Sequence, residues 1–259
     1  MSRRIVVTGA ASGIGAATAA AFAEVGDHVM GLDRAGMQGL GEAVALDLAD
    51  AGAVERWAEG LTQPIDVLVN AAGVPGTQPP QTVLSVNLLA PRRLTELLLP
   101  RLNPGGAVVH VSSGAGWAWR HEMETLLPLL GLPDADLLAA AESRAPSGRE
   151  AYELSKALLS LHAVATAPRA QRLGLRVNAV APGGVETPML PAFRESMGAD
   201  VLDWAAAAVG RHATPAEIAD AIVFLASPAA RWINGVELVA DGGLVAGMLT
   251  GAWPAPGRS

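Results

Sequence analysis

Arg4-Ile5-Val6-Val7-Thr8-Gly9-Ala10-Ala11-Ser12-Gly13-Ile14-Gly15 is the stretch on which the reading of this chain turns. A short apolar run, Arg4–Thr8, meets a turn of small residues, and a helical pattern, Gly13–Val25, follows at once. Small residues let a backbone come close to a pyrophosphate, and the free N–H groups and positive end of the helix dipole then face the phosphates. The next apolar run, His28–Asp33, ends in an acid eighteen residues past Gly15. A carboxylate there accepts hydrogen bonds from the adenosine ribose hydroxyls and repels a 2′-phosphate. Arg34 follows directly and tolerates a phosphate, so the expected cofactor is NAD, with NADP the lesser alternative.

The pattern continues outward. Further strands are expected at Ala43–Asp47, Asp66–Asn70, Ala107–Ser112, Arg176–Ala181 and Val236–Ala240, most of them continuous apolar runs suited to burial on both faces. Helices are expected at Ala51–Gly60, Gln81–Leu102, Glu150–Ala167 and Pro215–Ala226. The alternation implies βαβ units and a parallel sheet in a single α/β domain over residues 1–259. Thr214-Pro215-Ala216-Glu217 and Ser147-Gly148-Arg149-Glu150 each read as a capping box. Pro168 predicts a kink or break in the helix before it. Trp117–Pro146 reads as a helical insertion, with short helices about His121–Leu130 and Asp134–Ser143. The tail Ala246–Ser259, rich in Gly and Pro, is expected to be partly mobile.

The 259 residues carry 18 Lys and Arg against 25 Asp and Glu, a formal charge of −7, which argues against a nucleic-acid backbone as partner. With no cysteine, disulfides, thiolate metal sites and a cysteine nucleophile are excluded, and a cytoplasmic location is expected. The apolar fraction of 51% is too high for disorder, yet no apolar run is long enough to span a membrane. His110, His121 and His212 show no metal-ligand spacing, so no metal is expected. Trp57 and Trp232 are assigned to packing.

Tyr152, the only tyrosine, and Lys156 stand four residues apart, on one face of the expected helix. A phenol is a poor base near neutrality, and a nearby ammonium favours the phenolate. Such pairs are common on helices; the companions give this one meaning. With Thr8–Gly15 come Asn70-Ala71-Ala72-Gly73, Ser85-Val86-Asn87, Val111-Ser112-Ser113, Tyr152-Glu153-Leu154-Ser155-Lys156 and Pro182-Gly183-Gly184-Val185-Glu186-Thr187, in that order. The chain thus resembles the short-chain dehydrogenase/reductase family over residues 4–243.

That resemblance implies a Rossmann-type, doubly wound, seven-stranded parallel sheet with helices on both faces. It implies hydride transfer between a nicotinamide cofactor and an alcohol or carbonyl, with Tyr152 as acid/base and Lys156 holding the nicotinamide ribose and tuning Tyr152. Ser113, with Ser112 as rival, would bond the substrate oxygen, and Asn87 would bend its helix and hold a water for a proton relay. Gly9, Ser12, Gly13, Ile14 and Gly15 would cradle the phosphates, and Asp33 the ribose. Asp47 and Leu48 would flank the adenine, and Asn70, Ala71 and Gly73 would back the cofactor. Pro182, Gly183, Val185 and Thr187 would line the nicotinamide end. Ser113 and Tyr152 lie 39 residues apart, a longer gap than the family commonly has. An insertion there is similar to the branch of hydroxysteroid dehydrogenase/carbonyl reductases and coniferyl alcohol dehydrogenases. Trp117, Trp119, Met189, Leu190, Phe193 and Trp204 then become candidate walls of a pocket for a bulky apolar cyclic or aromatic alcohol, ketone or aldehyde. An insertion covering the Tyr152 helix leaves a homodimer through the last strand and helix 215–226. The alternatives are a dinucleotide-sensing regulator on the same fold and an oxoacyl reductase.

Overall fold

The computed structural model describes residues 2–37 and 41–253. The expected apolar runs form a sheet of seven parallel strands in the order β3-β2-β1-β4-β5-β6-β7. The strands are β1 Arg4–Thr8, β2 His28–Asp33, β3 Glu42–Ala45, β4 Ile65–Asn70, β5 Leu102–Val111, β6 Arg176–Pro182 and β7 Glu237–Ala240. Between them come α1 Gly13–Glu24, α2 Ala51–Gly60, α3 Pro80–Leu84 and α4 Ala90–Leu98. After β5 come α5 Met123–Leu126, α6 Asp134–Arg144 and α7 Gly148–Arg172, then α8 Leu190–Met197, α9 Ala199–Val209, α10 Pro215–Ala226 and α11 Leu244–Thr250.

Continuous apolar strands give the sheet two buried faces. Ile5, Val7, Val67, Val69 and Val109 pack on Phe22 of α1 and Ile218 and Ile222 of α10. Their neighbours Val6, Leu68, Val108 and Val177 face Val54, Leu94 and Ala163 of α2, α4 and α7. The order of strands reverses between β1 and β4, so a crevice opens at their carboxyl ends, the usual ligand position of such sheets.

Several expectations need correction. The expected helix Gln81–Leu102 is α3, a π-helical turn Ser85–Leu89 around Asn87, α4 and a short 3-10 turn Leu99–Arg101. Pro100 ends it, and Leu102 already belongs to β5. Pro168 does not break α7, which runs to Arg172. Burial of Ala163, Ala167 and Ala170 holds the last turns in place, and Asn234 Nδ2 donates to Ala167 O at 3.1 Å. In the tail, α11 reaches Thr250, and the Trp253 ring rests on Gly247, where a Cβ would lie 2.0 Å from it. Residues 254–259 of that tail lie outside the described residues. Trp232 is not a packing residue; it is 95% exposed.

Candidate active site

The glycine turn is built for close backbone approach. Gly9 has φ of +71°, and a Cβ there would stand 2.8 Å from Ala72 backbone. At Gly15 a Cβ would fall 2.1 Å from Gly9 O, so only glycine lets α1 start this near β1. Ser12 is the N-cap of α1 but makes no side-chain cap bond, and the first turn has no acid. The N–H groups of that turn are thus available to an anion. Thr8 Oγ1 accepts from Ala71 N and Ala72 N, both at 3.0 Å, tying the 71–73 loop to β1. Asp33 braces the turn, Oδ2 accepting from Ala11 N at 3.1 Å and Oδ1 from Ala35 N at 2.9 Å.

These groups border one cavity of about 700 Å³. Gly9, Ser12, Gly13, Ile14 and Gly15 line its phosphate end, with Asp33, Asp47 and Leu48 beyond them. Ala71 and Gly73 form its floor, and Pro182, Gly183, Val185 and Thr187 its far wall. Ser113, Tyr152 and Lys156 line the same cavity. An uncapped helix start, a cradle that tolerates no Cβ and a carboxylate at the second strand end together fit a nicotinamide dinucleotide.

The two serines divide clearly. Ser112 Oγ turns into the fold, donating to Lys156 O at 3.0 Å and meeting Ser160 Oγ at 2.5 Å. Ser113 borders the cavity with Tyr152, and the serine hydroxyl favours the ionised phenol. Burial pushes the Tyr152 phenol up to about 12, only partly opposed by Ser113. Burial also lowers the Lys156 ammonium to about 8. Its Nζ donates to Val111 O at 2.9 Å and stands 5.7 Å from the Tyr152 ring centroid. Desolvation is thus the largest influence on the phenol, and Ser113 is the group that opposes it. Asn87 is fully buried; its Oδ1 accepts from Val74 N at 2.8 Å and its Nδ2 donates to Val74 O at 3.0 Å. Asn87 Oδ1 and Lys156 Nζ flank the same point over Gly73, 3.3 and 3.7 Å from where a Cβ would sit.

Four expected site residues do not line the cavity: Asn87, buried against Val74, and Asn70, Trp119 and Trp117. Asn70 is buried beneath it, with Nδ2 3.1 Å from His110 Nδ1 and 3.4 Å from Thr95 Oγ1, because β4 pairs it with His110 on the α7 side of the sheet. Trp119 turns into a core with Leu88, Leu126 and Leu158. Trp117 packs its ring on His121. Both indoles belong to the 3-10 helix Gly114–Arg120, and neither lines the cavity. Met189, Leu190, Phe193 and Trp204 do line the cavity, and the Phe193 ring meets Tyr152 edge-on at 5.1 Å. Sequence reasoning missed Met197, Val201 and Leu202 of α8 and α9, and Leu244 and Met248 of α11. No motif marks them; only their place in an apolar stretch after Thr187, or in the tail, could have drawn notice. His110 is also more than incidental, since its Nε2 lies 3.2 Å from His162 Nδ1 in a buried pair. Among the described residues no cluster has the makings of a metal site.

The short chain dehydrogenase family profile matches residues 3–123, and the enoyl-(acyl carrier protein) reductase profile matches 137–245. Coniferyl-alcohol dehydrogenase of Pseudomonas sp. (strain HR199 / DSM 7063) is 37% identical over 94% of this chain and 96% of its own length. The chain belongs to the short-chain dehydrogenase/reductase family. This short-chain dehydrogenase is also 34% identical to 3-alpha-hydroxysteroid dehydrogenase/carbonyl reductase of Comamonas testosteroni, over 94% of this chain and 97% of that one. A solved structure, the 3-alpha-hydroxysteroid dehydrogenase of Pseudomonas sp. B-0831 complexed with NADH, superposes with a TM-score of 0.82 at 32% identity, covering 96% of this chain and 98% of that one. The protein is an oxidoreductase of this family, and nicotinamide dinucleotides are the family's cofactors.

Proposed function

We propose that this oxidoreductase interconverts an alcohol and a carbonyl on a bulky, uncharged, apolar cyclic or aromatic compound, with NAD as cofactor. The observation that carries the reading is that Ser113, Tyr152 and Lys156 line the same cavity as the glycine turn and the apolar side chains of α8 and α9. The dinucleotide supplies the hydride acceptor or donor. The chain's own groups handle the oxygen. Tyr152 exchanges a proton with it, Ser113 hydrogen-bonds it as charge develops, and Lys156 holds positive charge nearby. Tyr152 gives its proton in carbonyl reduction and takes one in alcohol oxidation, and the second role needs its ionised form stabilised against burial. Asn87, in its π-turn, fixes Val74 and with it one wall beside Lys156, and a water there would extend the proton path.

Asp33 at the end of β2 supports NAD over NADP. Beyond Tyr152 the walls are apolar and, apart from Lys156, carry no charged side chain, which supports an uncharged substrate and disfavours an acidic carrier. Both Pseudomonas and Comamonas relatives are named for substrates of this general kind. A homodimer completes the reading. The β7 edge offers Val236 and Leu238 and α10 offers Phe224, all exposed, whereas the insertion covers α7 by packing Leu126 and Leu137 on Leu158 and Leu161. Among the described residues no helix is long and apolar enough to cross a membrane, and the absence of cysteine supports a cytoplasmic site. The test pairs NAD and NADP with steroid alcohols, aryl allylic alcohols and cyclic ketones, following cofactor absorbance, with Tyr152→Phe as blank. Turnover with NAD and an apolar alcohol is the expected result; turnover only with carboxylated or carrier-bound substrates would overturn it. Solution mass at twice that of one chain is expected, and a tetramer burying α7 against its mate would refute the dimer.

A further inference from the structure

The 3-10 helix Gly114–Arg120 starts immediately after Ser113, and the structure pins it at three places. At its start Ser113 Oγ accepts from Ala115 N at 3.2 Å, so the serine that shares the cavity wall with Tyr152 is also the helix N-cap. In its middle Gly116 presses on α7, where a Cβ would stand 2.5 Å from Lys156 C and Ala157 N. At its end a hydrogen bond and an ion pair converge on one oxygen. Trp119 Nε1 donates to Glu237 Oε2 at 3.2 Å, and the Arg120 guanidinium pairs with that same oxygen at 2.6 Å. Arg120 also lies over the Trp119 ring, 4.7 Å from its centroid.

Glu237 opens β7, 118 residues beyond Trp119 in the chain. Its side chain is 1% exposed, and its Oε1 has no hydrogen-bond partner among the described residues. A carboxylate so buried and only half satisfied is costly, and an apolar residue of like size would be about as stable in its place. What the carboxylate adds is direction. Two contacts on one oxygen fix both the rotation and the axial position of the 114–120 helix, and Ser113 Oγ sits at the other end of that short lever. The neighbouring Ser112 Oγ is already committed to Lys156 O and Ser160, so a slip there has no spare hydroxyl to offer.

We propose that Glu237 is a positioning residue: through Trp119 and Arg120 it holds the 114–120 helix so that its N-cap, Ser113, keeps its place on the cavity wall it shares with Tyr152. The proposal rests on the reading of Ser113 given above. Glu237 touches neither cavity nor substrate, and it acts only through the serine.

The test is a cycle of Glu237→Ala, Ser113→Ala and the double variant, read by kcat, KM and the pH profile of kcat. Glu237→Ala lowers kcat by about tenfold with KM changed less than about twofold, the effect expected of a small misplacement transmitted from outside the site. It also moves the upper ionisation in the kcat profile the same way as Ser113→Ala, since Ser113 is the group that favours the ionised phenol. In the Ser113→Ala background the further loss from Glu237→Ala vanishes, because the shared path is already cut. Glu237→Gln keeps the volume and an acceptor for Trp119; it retains more activity, within about threefold of the parent, and carries the same cycle should the alanine variant not fold. Equal losses in both backgrounds, or a lower unfolding temperature with kcat and its pH profile unchanged, overturn the proposal. If Ser113→Ala alone leaves kcat intact, the reading of the serine fails and the proposal with it, and that outcome shows with Glu237 untouched.

Discussion

The two ends of the central cavity are made in opposite ways. The phosphate end is made of backbone: Gly9, Gly13 and Gly15 are present for what they lack, and a single added carbon at Gly9 or Gly15 would strike main chain. The substrate end is made of side chains: Phe193, Met197 and Trp204 on α8 and α9 and Met248 on α11, brought from separate stretches of sequence. Backbone recognition restricts residue type and spacing. An apolar wall accepts any large side chain that fills it. The first kind of site leaves a motif and the second does not.

Four measurements would break or sharpen that contrast. The largest effect is expected where the ends meet: Tyr152→Phe removes the hydroxyl and lowers kcat by about 10³-fold while dinucleotide binding changes little. Fluorescence titration of the cofactor beside steady-state rates would check it, and a retained kcat would deny the phenol any part. Next comes acid. The His110–His162 pair joins β5 to α7, the helix that carries Tyr152 and Lys156, and burial holds both imidazoles below their usual range, His162 at about 4. A depressed folded value means stability that is complete above the unfolded pKa near 6.5 and is lost as pH falls toward 4, by about 3 kcal/mol for His162. Denaturant midpoints across that window should fall with pH, and more shallowly in His162→Gln. Third, Asp33→Ala should weaken NAD by about tenfold to a hundredfold and narrow the gap to NADP, the worth of one charge-assisted bond. Comparative titration of the two cofactors decides it. Smallest is Trp204→Ala, which should raise KM for bulky substrates by about tenfold and leave NAD binding as it was. A matching loss of NAD affinity would mean that the two ends are not independent.

The sequence was legible where residue type was forced. The strands β1 and β2 and the helices α2 and α10 stand at the expected bounds because apolar runs, an acid or a capping box mark their limits. Helices α8 and α9 were unmarked: neither has a side-chain N-cap bond, and they lean over the cavity instead of resting on the sheet. Trp117 and Trp119 misled for a related reason. Closeness to Ser113 in sequence suggested closeness to the site, but Trp119 is drawn into a core with Leu88 and bonded to Glu237, and Trp117 packs on His121. His110 carried no motif at all; only the register of β4 with β5 shows that it faces Asn70.

One consequence follows from Tyr152 having no sibling in the chain. A protein grown with isotope-labelled tyrosine would give one phenolic resonance, free of overlap and needing no assignment. Its chemical shift would follow the ionisation of the working group directly, with and without bound ligands, so that the protonation state inferred from burial becomes something that can be watched.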